Sequence, residues 1–415
     1  MAYITNQFPA AVEWYVVEEI RHLRRRGVRV IPCSSRKVDG SSLTADLREL
    51  AQETLYLEPL RWWTLLHALF ICLRRFHSIG DLMAGALLES SEPAMRRART
   101  LLHTWLGVYY GLLLRDRGVD HIHVHHGYYS SWIAMVAART LGIPFSMTLH
   151  GSDLLMQAAF MRTKLRECEF CITVSEFNRE HILAHYPGLD PKKVLVQRMG
   201  VEVPPISSTK RMPARSLNQV PVLLAVGRLH PVKNHVFLLQ ACFLLRECGV
   251  RFRCVIVGAG PEREKLEFLI HELKIAEVVR MVGHVPREHI GEYYESADLV
   301  VLTSHSEGIP LVLMEAMARG KIVLAPAITG IPELVESGKT GFLYAAGDLE
   351  QFVWQVEQIC KSRNALESIG RAAREHVLLS FEQQKNLAKF ADVFVQRIAH
   401  GNRSYGNEDL VLQQI

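Results

Sequence analysis

The sequence of 415 residues has no uninterrupted apolar run reaching the ~18 residues that a membrane-spanning helix needs. Its nearest candidates, Trp62–Leu73 and Leu101–Leu114, both fall short. Nor does it open on a basic flank followed by an apolar core. Met1-Ala-Tyr-Ile-Thr reads as a strand, so no secretory leader is expected. Cysteine is sparse, eight in all, too thinly spread for a disulfide framework. Cys168 and Cys171 have CxxC spacing, but they lead into the apolar run Phe170–Val174 instead of opening a helix. No second pair completes a zinc site. Packing cysteines in a reducing cytoplasm are expected. Charge of one sign is also scarce: Lys+Arg 48 against Asp+Glu 43 gives +5, without the strong basic stripe of a nucleic-acid binder.

What is present is ordinary globular material at about twice the usual length of one domain. Short β-branched runs alternate with helical stretches through both halves. Strands are predicted near Ala2–Thr5, Val28–Cys33, His121–His125, Phe145–Leu149, Cys171–Val174 and Val194–Gln197. A second series falls near Val222–Val226, Arg253–Val257, Val278–Val282, Leu299–Thr303, Ile322–Ala325 and Gly341–Tyr344. Such alternation predicts parallel sheets covered on both faces, an α/β chain of two Rossmann-like domains facing across a cleft. We place the first domain at 1–205, a polar linker at 206–219 and the second domain at 220–380. A helix over 381–400 and a polar tail over 401–415 follow. An apolar helical insertion at about 60–115 interrupts the first alternation. Between 61 and 117 it carries 8 basic and 4 acidic residues, so most of the excess charge sits there. With Trp62, Trp63 and Trp105 it suits either a membrane surface or internal packing.

Three strand-to-helix turns in the second half carry candidate chemistry. After Val222–Val226 comes Gly227-Arg228, then Lys233-Asn234. Gly227 permits a tight turn, Arg228 offers a fork for phosphate oxygens and Lys233 a point charge. Asn234 or its neighbour can cap the next helix. The next turn, Gly258-Ala-Gly260-Pro261, is a truncated glycine-rich turn, with Pro261 suited to a first helical position. The third, Glu307-Gly308-Ile309-Pro310-Leu311, precedes Glu315, a lone carboxylate in an apolar helix. Burying it is costly unless it is partnered, and ribose hydroxyls would partner it. Amides of Gly308, Ile309 and Leu311 can donate to phosphate or sugar oxygens. Alternatively Arg228 and Lys233 are solvated surface cations, and Glu315 lies on a polar helix face. No Asp-x-Asp motif occurs, so fixed cations would have to offset a diphosphate leaving group.

These motifs, in this order and with Gly330-Ile-Pro-Glu-Leu after them, resemble a retaining GT-B glycosyltransferase of family 4. His121-Ile-His-Val-His-His126, Thr148-Leu-His150-Gly151-Ser-Asp153 and Val174-Ser-Glu-Phe-Asn178 resemble the exopolysaccharide, colanic-acid type members. The resemblance implies a sugar moved from a nucleotide-diphosphate donor to a glycan or lipid-linked acceptor, without metal or other cofactor. It implies donor diphosphate contacts at Arg228 and Lys233, ribose at Glu315, the transferred sugar at Glu307 and the base near Gly283-His284-Val285. It places His150 by the reacting carbon, and His126, Gly151 and Asp153 on the acceptor side. The C-terminal helix would cross back to the first domain. Two features depart from the family: the first loop, Asn6–Glu13, has no glycine, and Met199-Gly200-Val201 stands where many members have Asn-Gly-Val.

Other readings stay in view. A nucleotide-sugar 2-epimerase shares the architecture, and a degenerate scaffold would bind without turnover. A dinucleotide dehydrogenase is disfavoured, because the first turn lacks a full G-x-G-x-x-G. His121, His123 and His125 share one strand face and could hold a metal, but packing and hydrogen bonding mid-sheet is the expectation. The site is expected in the cytoplasm, with the insertion either at the inner membrane face or packed inside.

Overall fold

The computed structural model describes residues 1–10, 13–38, 43–74, 76–88, 92–156, 159–205, 220–362 and 366–405. The expected linker, 206–219, and the end of the tail lie outside them. The described chain divides into two units. One is Met1–Gln197 together with the chain from Leu387 onward, and the other is Arg198–Asn386.

The first unit is built on seven parallel strands: β1 (Ala2–Gln7), β2 (Ile31–Arg36), β3 (Leu55–Tyr56), β4 (Ile122–His125), β5 (Phe145–Leu149), β6 (Phe170–Thr173) and β7 (Val194–Val196). Their order is β3-β2-β1-β4-β5-β6-β7. Its helices are α1 (Trp14–Arg25), α2 (Ala45–Glu53), α3 (Trp62–Arg74), α4 (Phe76–Leu88), α5 (Ala94–Leu114), α6 (Tyr129–Leu141), α7 (Ser152–Leu155), α8 (Met161–Glu167) and α9 (Glu176–His185). The second predicted strand begins later than expected. The Val28 amide is spent on the carbonyl of Leu23, closing the end of α1, so pairing starts at Ile31. The two-residue β3 has no period to detect. Helix α4 escapes detection because His77, Ser78, Gly80, Asp81 and Gly85 break its apolar run.

The insertion is a three-helix layer, α3 to α5. Helix α5 lies so close to α6 that a Cβ on Gly107 would be 2.6 Å from the Cβ of Val136. Gly111, one turn on, makes a similar approach to Thr140. Helix α3 docks on α5 through Leu65, Ala68 and Cys72, with the Trp105 indole donating to the carbonyl of Leu65 at 3.0 Å. Its other face is uncovered: Trp62, Trp63, Leu66, Phe70 and Leu73 are all more than half exposed. No helix among the described residues is long and apolar enough to cross a membrane.

The second unit has six parallel strands: β8 (Val222–Val226), β9 (Arg253–Val257), β10 (Val279–Gly283), β11 (Leu299–Val301), β12 (Ile322–Pro326) and β13 (Phe342–Tyr344). The order is β10-β9-β8-β11-β12-β13. Helices α10 (His235–Glu247), α11 (Arg263–Glu272), α12 (Arg287–Ser296), α13 (Leu311–Ala318), α14 (Ile331–Leu334), α15 (Leu349–Lys361) and α16 (Glu367–Ser380) complete it. Residues 198–205 pack with this unit, not the first. Val201 bonds to the carbonyl of Phe381 at 2.9 Å, and a Cβ on Gly200 would fall 2.8 Å from the Cα of Gln383. The last helix, α17 (Gln383–Tyr405), starts in the second unit. From Leu387 it belongs to the first, where Phe390, Ala391 and Phe394 join Tyr3, Phe170 and Ile172 in one core cluster. In both units the strand order reverses beside a central strand, β1 or β8. Ligands of open parallel sheets bind at that reversal, beyond the carboxyl ends of the strands.

Candidate active site

In the second unit the reversal lies between β8 and β11, and the loops after them hold the expected residues. After β8, Gly227 and Arg228 lead into a short turn over Pro231–Lys233. That turn is capped by the His230 side chain, which accepts from the Val232 amide. Asn234 stands at the N-cap of α10 but makes no side-chain capping bond, because it is in the left-handed region at φ 51°. The loop after β11 is tied to this turn. Thr303 Oγ1 donates to the carbonyl of Lys233 at 3.0 Å, and the His305 amide donates to that of Val232 at 2.8 Å.

The result is an ion pair between residues far apart in sequence. Lys233 Nζ lies 2.6 Å from Glu307 Oε1, which also accepts from Ser304 Oγ at 2.6 Å. An ammonium has three donors, so two remain for other oxygens. Glu307 Oε2 meets no donor among the described residues. Arg228 is exposed and has no carboxylate partner among them.

Glu315 is half-buried on α13, where Tyr294 donates to its Oε2 at 2.8 Å. Burial pushes its carboxyl up, against the Tyr294 hydrogen bond and the charges of Arg287 and Arg319. Pro310 is the N-cap residue of α13, in extended backbone, and the helix begins at Leu311. The amides of Gly308, Ile309 and Leu311 lie at that N-terminus. Pro261 falls in the turn before α11, whose N-cap is Glu262, so it does not open the helix.

The glycines are there for close packing. A Cβ on Gly258 would lie 1.8 Å from the carbonyl oxygen of Gly227, and one on Gly260 would lie 2.3 Å from that of Leu229. The two turns can approach only without side chains. Gly330 abuts the carbonyl of Gly308 in the same way. Gly283 (φ 92°), exposed His284 and half-buried Val285 end β10 on this same side of the sheet.

In the first unit the reversal lies between β1 and β4. Tyr3, His123, Ser146 and Phe170 are aligned across β1, β4, β5 and β6 on one face. His121 and His123 both hydrogen-bond Ser146 Oγ, at 2.7 and 2.8 Å, and His123 also reaches Thr148. Among the described residues no group of three His, Cys, Asp or Glu side chains is placed to hold a metal ion. Cys168 and Cys171 are buried, and burial pushes both thiols up, Cys168 to about 12.

At the strand end the chemistry changes. His125 Nε2 is 2.9 Å from Glu19 Oε2, and His125 Nδ1 is 2.9 Å from His150 Nε2. Tyr3 also donates to Glu19 Oε2. A carboxylate only accepts, so the His125 proton sits on Nε2. With that proton directed at Glu19, His125 Nδ1 can accept from His150 Nε2–H, which leaves His150 Nδ1 as an acceptor. Burial, and then the charge of neighbouring His126, hold the His150 imidazole well below its usual range.

Asp153 is 1% exposed and accepts from the amides of Gly127, His150 and Gly151 at 2.9, 3.0 and 2.8 Å. Gly151 is buried too. Expected on the acceptor side, these two tie the loops after β4 and β5 together. His126, at φ 69°, pairs with Glu13 and Asp153. Burial alone would lower its imidazole, but those two carboxylates lift it to about 10.

Comparison with known proteins decides the family. The description Glycosyltransferase Family 4 matches residues 85–203, and Glycosyl transferases group 1 matches 207–376. D-inositol 3-phosphate glycosyltransferase 2 of Catenulispora acidiphila is 30% identical over 71% of this chain and 70% of that protein. The chain belongs to glycosyltransferase family 4. The putative colanic acid biosynthesis glycosyltransferase WcaL of Salmonella typhimurium is 34% identical over 48% of this chain. The match spans about half, 50%, of that relative's length. Amylovoran biosynthesis glycosyltransferase AmsK of Erwinia amylovora is 25% identical over 96% of this chain and all of its own. The crystal structure of Anabaena Alr3699/HepE in complex with UDP-glucose superposes with a TM-score of 0.68, at 19% identity, over 95% of this chain and 99% of that one. The fold is GT-B.

Reading the sequence of this family member missed Glu19, Tyr3 and Lys164. Glu19 had a signal: it falls on the apolar stripe Val16, Ile20, Leu23 of α1, where a carboxylate needs partners. Lys164 had none. It is buried, donates to the carbonyls of Gly127 and Tyr128 at 2.7 and 3.2 Å, and burial lowers it to about 7. The Glu19–His125 pair fixes which face of His150 is the acceptor. In a Glu19→Gln variant the amide can donate to His125, reversing both imidazoles. If His150 bonds the sugar as the resemblance implies, turnover should fall by about tenfold to a hundredfold, the effect of one lost charge-assisted hydrogen bond, with donor KM unchanged. A drop in KM and kcat together, or none, would mean that Glu19 only packs.

Proposed function

We propose that the chain moves a sugar from a UDP- or GDP-sugar to a glycan or lipid-linked acceptor with retention of configuration. The pathway would be synthesis of exopolysaccharide, lipopolysaccharide or a related glycan. The Lys233–Glu307 pair at the reversal of the second sheet carries this reading. The two remaining donors of Lys233, with Arg228, would neutralise the diphosphate as it leaves, with no metal needed. Glu307 Oε2 would take hydroxyls of the transferred sugar, and Glu315 those of the ribose. His150 Nδ1 would accept from a sugar hydroxyl near the reacting carbon. The acceptor proton would pass to the leaving phosphate on the same face, so no protein nucleophile takes part. The UDP-glucose held by the Anabaena protein and the polysaccharide names of the relatives support the donor and pathway classes.

Calorimetric titration with UDP, GDP and ADP is the direct test. One diphosphate should bind selectively, and Glu315→Ala should weaken it by about ten- to a hundredfold, the effect of one charge-assisted hydrogen bond. No binding by any of the three would sink the proposal. Conversion of the donor sugar with no acceptor present would instead favour the epimerase.

The uncovered row of α3, with Arg61 and Arg74 at its ends, is proposed to rest on the cytoplasmic face of an anionic membrane. Co-sedimentation with phosphatidylglycerol vesicles should be lost in Trp62→Ser/Trp63→Ser. Equal sedimentation of parent and variant would rule that contact out.

A further inference from the structure

Tyr294 is fully buried on α12, and its hydroxyl has one partner among the described residues, Glu315 Oε2 at 2.8 Å. A phenylalanine would fill the same space with no polar group to satisfy. The tyrosine packs no better and carries the cost of a desolvated hydroxyl, so the hydrogen bond is what it adds.

The ring is itself held. Arg319, just past the end of α13, places its guanidinium 5.2 Å from the Tyr294 ring centroid. Arg319 Nη1 also donates to the backbone carbonyl of Glu315 at 2.9 Å. That carbonyl is one of the last four of the eight-residue α13. The Arg319 amide would close on it in a longer helix, but bonds the carbonyl of Ala316 instead, at 3.0 Å. Glu295 Oε1, 4.0 Å from Arg319 Nε, ties the same guanidinium back to α12. Glu315 is thus clamped at its carbonyl and at one carboxylate oxygen.

The other oxygen is left. Oε1 of Glu315 meets no donor among the described residues. An ionised carboxylate has about four lone-pair positions, and Tyr294 takes one of them. Burial opposes that ionisation. The Tyr294 hydrogen bond is the largest influence favouring it, ahead of Arg287 of α12 and Arg319, while Glu202 acts on the side of burial. From α16, Arg374 donates to the carbonyls of Ala318 and Pro204. Lys321, just before β12, donates to that of Glu295 at 2.8 Å.

We propose that Tyr294 is a positioning residue for nucleotide recognition: it fixes the Glu315 carboxylate so that Oε1 meets the ribose diol, and Arg319 holds the tyrosine in place. This rests on the reading that Glu315 takes the ribose hydroxyls. Tyr294 acts only through Glu315, which separates positioning from packing in two ways. The preference for a nucleotide with its diol depends on the Tyr294 hydroxyl, and only while Glu315 is present. Without that hydroxyl the buried carboxyl keeps its proton to higher pH, so the preference fades toward acid.

The test is calorimetric titration of the full chain with UDP or GDP, whichever the parent binds, and with its 2′,3′-dideoxy analogue, at about pH 6 and about pH 8, above the ordinary carboxylate range. The diphosphate titrates alike in both ligands, so the ratio of the two Kd values reports the ribose contact. The parent should favour the diol form by about tenfold or more, the effect of a charge-assisted hydrogen bond. Tyr294→Phe should cut that ratio by about three- to tenfold, more at the acid pH, with affinity for the dideoxy analogue within about twofold of the parent. In Tyr294→Phe/Glu315→Ala the ratio should equal that of Glu315→Ala alone. An unchanged ratio in Tyr294→Phe, equal weakening of both ligands, or additive losses in the double variant would each overturn the proposal and leave Tyr294 as packing. A parent that binds both ligands equally, or a Glu315→Ala variant that keeps the preference, would instead strike the ribose reading of Glu315, and the proposal with it.

Discussion

A Lys233→Ala variant is expected to turn over about a hundred- to a thousandfold more slowly than the parent, the range seen when one preorganised charge-stabilising donor is removed. On the proposed reaction the ammonium acts where charge develops on the leaving diphosphate, so kcat should fall further than nucleotide affinity. The loss has a second component. Glu307 is 12% exposed and keeps only Ser304 once the lysine is gone, so its carboxylate is less firmly oriented as well. Lys233→Arg should not restore activity. A planar fork cannot reproduce a point charge already 2.6 Å from one carboxylate oxygen. The measurement is release of nucleoside diphosphate from whichever UDP- or GDP-sugar the parent uses, with melting temperature alongside. Turnover within about twofold of the parent would remove Lys233 from the chemistry, since a true loss of this kind is about 2.7 kcal/mol or more.

An Asp153→Ala variant is expected to lose about 3–5 kcal/mol of stability in the first unit, the cost of removing one partner from a buried pair. The change orphans three amides on two loops and leaves His126 with Glu13 alone. The pH dependence is specific. Burial would raise the Asp153 carboxyl, but the His126 hydrogen bond and charge, with the Gly151 amide, hold it well below the usual range. Its contribution is therefore present above the unfolded value of 3.8 and lost as pH falls through the folded value. His126 behaves in the opposite sense. Raised from 6.5 to about 10, it contributes fully below 6.5, and that contribution is lost as pH rises through about 10. Lys164, lowered from 10.5 to about 7, gains stability for the fold over nearly the same alkaline span. The two offset each other there, so the acid limb is diagnostic. Denaturation of parent and variant should show a gap that narrows below about pH 4. A gap that stays constant into acid would assign the loss to packing instead of charge.

How much of this was legible in sequence follows from where each signal resides. Buried parallel strands are continuous apolar runs, and β5, β8 and β9 match the expected ranges residue for residue. The glycines of 258–260 were legible as a turn, but their reason lies in a neighbouring loop that no local pattern reveals. The partners of the expected side chains were hidden in the same way. Lys233 and Glu307 are 74 residues apart, and Tyr294 and Glu315 are 21 apart. Those contacts exist only once the sheet has set its strand order. The amide partners of Asp153 were hidden too, because a carboxylate in a loop looks the same in sequence whether it faces a ligand or three amides.

The path of α17 has a consequence for synthesis. The face of the first sheet bearing Tyr3, Phe170 and Ile172 is completed by Phe390, Ala391 and Phe394. Those residues leave the ribosome only after the whole second unit. At roughly 5–20 residues per second, the first sheet waits on the order of 10–40 s with part of one apolar face, the part α1 leaves open, uncovered. During that interval it is a natural client for a chaperone. A chain cut after Gln197 should inherit the same exposed face permanently and collect in inclusion bodies.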